Sequence, residues 1–506
     1  MSSVVRPLRS QLFGLLGCLL PAFGLAAASE TIYVNNRLGS DQFDGRAAAP
    51  ANGGKTGPVA TIAQALKLVP ISGRVSIADT GVDYREAVRV QALRKGRAAA
   101  PLVIEGNGAA LSGLVAVPAA RWVRLKEDVY FFENQLPGDP PTYGPMPNSN
   151  WLGHLRHQGW FTERQAPEIF FLDGQPAPHV RDLAALPPGG FFYDTQSSPR
   201  RLYFRLPAGK KLADCAIELP LNAGLFVDDD YVVVRNLASK YSQDDGFAGF
   251  WGIGVIFENC NGSFNCDQGM SLHGTSVTVI DGGLYERNGG CGIADVMSSF
   301  TVYRNAVIRD NMIAGALFAG LGHSLLSCRL YGNYGLQVNA GTGCALNMTN
   351  CLVIGTSADG AADGVSMEIG RLDHCTIVNC GTGVWVAKSG SIANSVVANC
   401  AGSLVTVDKA AVGSFRMWKT VLAAGTVVYG TQRATPANWD EFANSVTWAK
   451  VNNILTDLKL EAPLYALPQD SPYLKAADYD TTPGATLGPY AGWKPREDAA
   501  FAHPHP

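Results

Sequence analysis

The sequence has 506 residues, with 40 Lys and Arg against 43 Asp and Glu, so that its formal net charge is −3 at pH 7. This near-neutral balance lacks the basic excess of proteins that bind nucleic acids or anionic membrane surfaces, and it argues against both classes. The 56 glycines are typical of a chain with many tight turns.

The first 28 residues have the pattern of a secretory signal peptide. Arg6 and Arg9 precede an apolar run from Leu12 to Leu25, and three alanines stand before Ser29. Such a segment is removed on export, so we expect a secreted or periplasmic protein. The apolar run continues well past Cys18, which argues against a lipoprotein anchor. No later stretch is long and apolar enough to be predicted to span a membrane.

Residues 29–120 are predicted to form an N-terminal cap and the first coils of a solenoid. A strand at Tyr33-Val34 is followed by a polar, Gly-rich loop and a short helix that ends at Leu68. A cap is required because the open end of a solenoid core would otherwise meet water. Short strands are then predicted at Val75–Ile77, Ala87–Val90, Leu102–Ile104 and Ala110–Leu111.

Residues 121–220 interrupt this pattern with aromatic runs that are separated by Gly and Pro. This alternation predicts an inserted antiparallel β unit. The run from Phe192 to Pro207 resembles the β-sandwich insert of some β-helix glycoside hydrolases. The resemblance implies a wall of aromatic side chains that can stack on sugar rings. The alternative is that most of these rings form the core of the insert itself.

Residues 221–410 repeat a short pattern about every 22 residues, which is the mark of a solenoid. In each repeat Asn or Asp precedes Gly and an apolar run, and this predicts a turn followed by a strand. Val, Ile, Thr, Asn and Gly dominate, unlike in helical repeats. The predicted fold class is therefore all-β, a right-handed single-stranded parallel β-helix. The predicted strands are Gly269–His273, Gly292–Val296, Gly315–Ala319, Gly335–Asn339, Gly364–Glu368 and Gly383–Ala387.

Two further columns recur with the same period. Small residues are predicted to stack inside the coils, and their cysteines are interpreted as core rather than as disulfide partners. The residue before each of them is mostly Asn, which predicts a ladder of side-chain amides hydrogen-bonded from coil to coil. The small column is Cys260, Gly283, Ala306, Cys328, Cys351, Cys375 and Ser395, and the preceding column is Asn259, Gly282, Asn305, Ser327, Asn350, His374 and Asn394.

Residues 411–506 are predicted to form the last coils and a closing segment. With the N-terminal block and the repeats, they resemble the pectate-lyase-like superfamily of right-handed parallel β-helix proteins. The resemblance implies a carbohydrate-active protein whose partner is a polysaccharide or oligosaccharide, and it specifies the fold better than the reaction. We expect a monomer.

Three carboxylates are predicted to meet on adjacent coils. Asp244 and Asp245 precede Gly246, and Asp267 occupies the same place one coil later. Stacked coils lie about 4.8 Å apart, so the three side chains should be neighbours. Carboxyl groups about 5 to 5.5 Å apart suit a retaining glycosidase, and a wider pair suits an inverting one. The alternative is a set of ordinary turn residues, because Asn fills similar positions in later repeats.

His273 ends the strand that follows Asp267 and is predicted to assist catalysis, with Ser271 pointing the same way. Glycoside hydrolysis by Asp244, Asp245 and Asp267 is the preferred function, and it needs no cofactor. A substrate-binding role is predicted for Lys240, Ser271, Glu286, Arg287 and Asp295. Asp295 falls in an inward column, where a carboxylate is costly unless it is hydrogen-bonded or the register bulges.

Two other functions remain open. A polysaccharide lyase or uronate epimerase acting on a uronic-acid polymer would use Ca²⁺ held by Asp and a base such as Lys240, Tyr241, His273 or Arg287. The thin supply of basic residues on the repeats argues against a strongly anionic substrate. A non-catalytic glycan-binding or structural β-helix is the third possibility, since fold alone does not decide function.

Overall fold

The computed structural model describes residues 30–52, 54–133, 170–194, 201–355 and 363–456, together with 460, 471, 474–475, 477 and 482–486. The predicted signal peptide lies outside these residues, so export stays a prediction. Parts of the aromatic insert and of the closing segment also lie outside them. In the described part of the chain, we find no helix with the length and apolar character needed to cross a bilayer.

Most of the chain winds into a parallel β-helix in which each coil adds a strand to three faces. The first face contains Val88–Val90, Leu225–Val227, Phe247–Gly249, Met270–Leu272, Ile293–Asp295, Ala314–Phe318, Ser403–Val407 and Val427–Tyr429. The second contains Thr31–Val34, Arg74–Ile77, Leu102–Glu105, Val232–Arg235, Ile253–Glu258, Val277–Asp281, Phe300–Arg304, Gly322–Leu326 and Phe415–Trp418. Three long strands run through both faces: Leu336–Thr349, Asp363–Asp373 and Thr382–Ala393.

The third face completes each coil. It contains Ala110–Ser112, Ala238–Lys240, Asn261–Ser263, Leu284–Glu286, Val307–Arg309, Arg329–Tyr331, Leu352–Ile354, Thr376–Val378, Val396–Ala398, Val421–Ala423 and Ile454–Thr456. Coils stack in register, so that Phe247 pairs with Met270 and Met270 pairs with Ile293. Asn265 and Asn288, which occupy equivalent positions, are 23 residues apart, close to the predicted period. The predicted parallel β-helix is therefore confirmed.

The interior columns explain the repeat. The small residues predicted to stack inside the coils are fully buried except Gly283, which is partly exposed; the buried ones include Cys260, Cys328, Cys351 and Cys375. The ten cysteines that the structure describes are free thiols. The Asn residues before this column adopt a left-handed backbone, with φ of 52° at Asn259, which turns the chain into the third face. The side-chain amides of all four of these Asn residues donate to the preceding coil at 2.8 to 3.5 Å, as predicted, but to acceptors of different kinds.

A second column of asparagines forms a more regular ladder. Asn265, Asn288, Asn311 and Asn333 lie in the turn from the third face to the next first face, and each is at most 1% exposed. The side-chain amide of each of the first three donates to the side-chain oxygen of the next at 2.8 to 2.9 Å. This ladder holds successive turns in one register. The acidic residues follow directly after it.

Both ends of the solenoid are covered, as capping requires. At the N-terminal end the helix Ile62–Leu68 buries Ile62, Ala65 and Leu66, and the Thr61 hydroxyl accepts from the Gln64 N–H. At the other end the helix Trp439–Ser445 follows the strand Gln432–Ala434, and aromatic rings pack between it and the last coils. Short 3-10 helices occur at Ala119–Arg121, Leu183–Ala185, Leu212–Asp214, Lys409–Ala411, Pro436–Asn438 and Thr447–Lys450.

The insert forms two mainly antiparallel sheets, which confirms the predicted β unit. Rings of Trp122, Phe132, Phe170, Phe191 and Phe204 pack at centroid distances of 5.0 to 5.9 Å and are nearly buried. These rings form the insert's own core, so they are not a wall for sugars. The strands are Val123–Lys126, Val129–Glu133, His179–Val180, Phe191–Asp194 and Arg201–Arg205 in one sheet, and Leu114–Ala116, Phe171–Leu172, Gln175–Pro176 and Ile217–Pro220 in the other.

Candidate active site

Three carboxylates meet where the chain turns from the third face into the first. One carboxylate oxygen from each of Asp244, Asp245 and Asp267 lies within 4.8 Å of those of the other two. The backbone N–H of Asp267 donates to the carbonyl oxygen of Asp244 at 3.2 Å, which fixes the two residues in adjacent coils. All three residues are half-buried. The sequence placed these residues together, and the structure shows the same arrangement.

The Asn ladder positions this cluster. The side-chain oxygen of Asn265 accepts from the N–H of Ser242 at 3.0 Å, so the turn that carries Asp244 is tied to the coil that carries Asp267. Gly246 must follow the two aspartates because a Cβ there would lie 2.6 Å from the Asn265 amide nitrogen. The cluster is thus held between a buried amide and a required glycine. On one side Cys266 packs into the core of the insert, which places the insert beside Asp267.

Burial and crowding change the acidity of the cluster. Burial, and then the charge of Asp244, raise the pKa of Asp267 to about 8. The pKa of Asp245 is also raised well above its usual range, first by burial and then by the charges of Asp244 and Asp267. The Gln268 N–H, which donates to Asp245 at 3.1 Å, and the Ser271 hydroxyl partly oppose this rise. Asp267 is therefore largely protonated at neutral pH.

Ser271 and His273 extend the cluster along the first face. The Ser271 hydroxyl is 2.8 Å from Nε2 of His273, and it also bonds to Asp245. The His273 ring stacks on Phe250 with a centroid distance of 4.6 Å and an angle of 17°. Burial lowers the pKa of His273, so the ring is neutral at pH 7. Ser271 is only 2% exposed and links the imidazole to the acidic cluster.

Gly290 lies against the Asp267 side chain, and the sequence did not indicate that it belongs to the site. A Cβ at Gly290 would lie 2.5 Å from Oδ1 of Asp267 and 2.2 Å from Oε1 of Gln268, far closer than van der Waals contact. The missing side chain thus leaves room for the carboxyl group and the amide beside it. The Gly289-Gly290 pair looks like an ordinary turn signal, and only the stacking shows what the second glycine faces.

Three other predicted binding residues have partners outside the cluster. Lys240 ends a third-face strand and pairs with Asp83 at 3.1 Å. Glu286 ends the third-face strand two coils further on and pairs with Arg309 at 2.6 Å. Arg287 lies in the following turn, with its guanidinium 5.6 Å from the centroid of the Phe264 ring. The structure gives each of these side chains a partner other than the three aspartates.

Asp295 lies inside the coil and is fully buried, so it cannot contact a substrate on the outer surface. Its carboxylate accepts from the Leu272 N–H at 3.1 Å, from the Thr301 hydroxyl at 2.7 Å and from the Tyr303 hydroxyl at 3.0 Å. The register is regular on both sides, which excludes the alternative of a bulge. Burial raises the pKa of Asp295 to about 7. The residue anchors the strand that carries Ser271.

Residues 245–401 match the family model of the right handed beta helix region. This match agrees with the coil geometry, and the predicted right-handed parallel β-helix is confirmed. No curated protein matches the sequence.

Three solved structures resemble the chain at low sequence identity. A complex of XylC with xylose is 12% identical with a TM-score of 0.53, and the match covers 84% of this chain and 82% of that one. The pectate lyase Pel9A is 12% identical with a TM-score of 0.42, covering 76% and 78%. A structure described as a glycoside hydrolase is 10% identical with a TM-score of 0.42, covering 79% and 95%. The similarity to the XylC complex shows a shared fold.

Proposed function

We propose that this protein is a glycoside hydrolase that cleaves a polysaccharide or oligosaccharide at the Asp244, Asp245 and Asp267 cluster. The observation that carries the proposal is the short spacing of the three carboxylates, together with the pKa of about 8 at Asp267. Glycosidases need one carboxyl group that is protonated and one that is ionised at the same pH. This cluster meets that requirement on two adjacent coils.

The roles follow from the charges. Asp267 is the general acid, and it protonates the oxygen of the leaving sugar. Asp244 carries the charge that raises the pKa of its neighbours, and it attacks the anomeric carbon to form a covalent glycosyl-enzyme. Asp267, now ionised, takes a proton from water, which hydrolyses the intermediate. One oxygen from each carboxylate lies within 4.8 Å of the others, and this short spacing favours the retaining course over the wider spacing of inverting enzymes.

Asp245 and His273 position the reacting groups. The Gln268 N–H and the Ser271 hydroxyl hold the Asp245 carboxylate, and Ser271 is held in turn by the His273 ring. The stack of His273 on Phe250 fixes the orientation of the imidazole. This chain of contacts keeps the cluster in one geometry while a sugar binds.

A panel of polysaccharides, assayed from pH 5 to pH 9, tests the proposal. We expect new reducing ends from one class of glycan, with a rate that falls as the pH rises through about 8. The reason is that Asp267 loses its catalytic proton at about that pH. Absorbance from unsaturated products is recorded in parallel and should stay at background. A glycan that binds without being cut, or a rate that keeps rising to pH 9, contradicts the proposal.

Gly290→Ala should lower kcat about tenfold or more without unfolding the protein. The added methyl group would overlap Oδ1 of Asp267, and small displacements of a catalytic group are costly. Gly413→Ala is the matched control, because a Cβ there meets nothing within 4 Å. Rates and melting curves of both variants are compared with wild type. Equal kcat in the two variants would show that Gly290 has no part in the site.

The same cluster favours a second candidate, a Ca²⁺-dependent polysaccharide lyase. Ca²⁺ binds oxygen at about 2.3 to 2.6 Å, so oxygens within 4.8 Å of one another can share one ion. Neutral His273, which Ser271 links to Asp245, would then be the base for proton abstraction. Loss of activity in a chelator, recovery with Ca²⁺ and unsaturated products would favour this candidate over hydrolysis.

A further inference from the structure

The outward residues of the first face form a strip that leads away from the carboxylate cluster. Seven successive coils contribute one residue each, and each residue pairs directly with the next. None of the seven side chains is charged, and all but two are small or short and polar. The strip consists of Ala248, Ser271, Ala294, Leu317, Asn339, Ser366 and Trp385.

An exposed tryptophan marks each end of this strip. Trp251 is 56% exposed and Trp385 is 43% exposed. The other tryptophans in the described part of the chain are buried or half-buried. The Trp251 ring packs over Gly274, since a Cβ at Gly274 would lie 3.0 Å from it. The Trp385 indole N–H donates to Asp408 at 2.9 Å, which fixes the ring. Indole rings held in this way are ready to stack on a ligand.

The two tryptophans lie at unequal distances from the carboxylates. Trp251 follows a strand of the coil that carries Asp244, whereas Trp385 lies five coils beyond Ser271. At about 4.8 Å per coil, the second separation is about 24 Å. A single sugar at the carboxylates cannot reach Trp385. An extended chain of several sugars can.

We propose that the substrate is an uncharged polysaccharide chain that lies along this strip, with Trp385 as the binding platform at its far end. The inference deepens the proposed hydrolase function and rests on it. Apolar faces of sugar rings stack on indole, and the side chains between the tryptophans are mostly short, with Ser271 and Ala294 nearly buried, so that none of them projects far from the strip. Near Trp385 the ammonium of Lys388 is paired with Glu368 at 2.9 Å and the Asp408 carboxylate holds the indole N–H, so these charges disfavour an anionic sugar there.

Binding of defined oligosaccharides to Trp385 variants tests the proposal. The probes are the disaccharides and hexasaccharides of xylan, cellulose and mannan, with hexagalacturonate as the charged counterpart, titrated by calorimetry into protein that carries Asp267→Asn. We expect an uncharged hexasaccharide to bind best. Trp385→Ala should weaken its binding at least tenfold and leave the disaccharide unchanged, whereas Trp385→Phe should keep most of the affinity. Ile369→Ala is the matched control, since Ile369 is 40% exposed and lies outside the strip, on the strand that carries Ser366.

The outcomes separate this inference from the proposed reaction. Equal losses for disaccharide and hexasaccharide, no loss in Trp385→Ala, preference for hexagalacturonate, or no binding of any uncharged hexasaccharide would each overturn it. If wild type releases no reducing ends while Trp385→Ala still loses hexasaccharide binding, the hydrolase proposal fails and the strip stands. If Asp267→Asn abolishes hydrolysis but Trp385→Ala has no effect on binding, the hydrolase proposal stands and the strip proposal fails.

Discussion

Asp267→Asn should lower kcat by about 10²- to 10⁴-fold, the usual contribution of a positioned general acid. An amide cannot donate the proton that the leaving oxygen needs, although it keeps the size of the side chain. Tm should stay unchanged or rise, because one member of a crowded carboxylate group is removed. Asp244→Asn should lose as much activity, since it removes the nucleophile. Reducing-end assays and thermal melts on purified variants measure both effects.

Asp281→Asn is the control for these two variants. Asp281 lies on the second face of the coil that follows Asp267, and it pairs with Arg304 at 2.7 Å, away from the cluster. Its loss should leave kcat at the wild-type value. Full activity in both Asp267→Asn and Asp244→Asn would show that the reaction does not take place at this cluster. A large loss of activity in Asp281→Asn would show that the activity losses reflect reduced stability and not the loss of a catalytic group.

The cluster could be predicted because it depends on one number, the length of a coil. Once the repeat was found, Asp244 had to lie over Asp267, and the parallel register makes that so. The same reasoning gave the buried cysteines. Periodicity translates sequence distance into contact only where coils have equal length.

The sequence could not give the contacts that depend on side-chain direction inside a turn. Gly290 and Gln268 were missed because their part in the site comes from facing Asp267, not from their residue types. Asn288 was interpreted as an ordinary turn residue, yet it is a rung of a buried amide ladder. From the sequence, the aromatic rings of the insert could either stack on sugars or form the core of the insert. Only their packing against one another in the structure shows that they form the core.

Asp295→Ala should have the largest effect on stability, a loss of about 3 to 6 kcal/mol in the free energy of unfolding. The carboxylate serves three buried donors, the Leu272 N–H and the hydroxyls of Thr301 and Tyr303. A buried polar group left without its partner costs about 1 to 3 kcal/mol. Asp295→Asn keeps an acceptor oxygen and should lose much less. Urea unfolding followed by circular dichroism at pH 5 and pH 8 measures both.

The pH dependence identifies the group that titrates. The pKa of Asp295 is about 7 in the fold and about 3.9 in an unfolded chain, so the native state binds more protons between these values. Stability from this group therefore falls as the pH rises from about 4 to about 7, and Asp295→Asn should remove that fall. His323, whose pKa burial lowers to about 3, acts in the opposite direction. A wild-type protein that loses no more stability than Asp295→Asn between pH 5 and pH 8 would mean that Asp295 stays ionised in the core, held by its three donors alone.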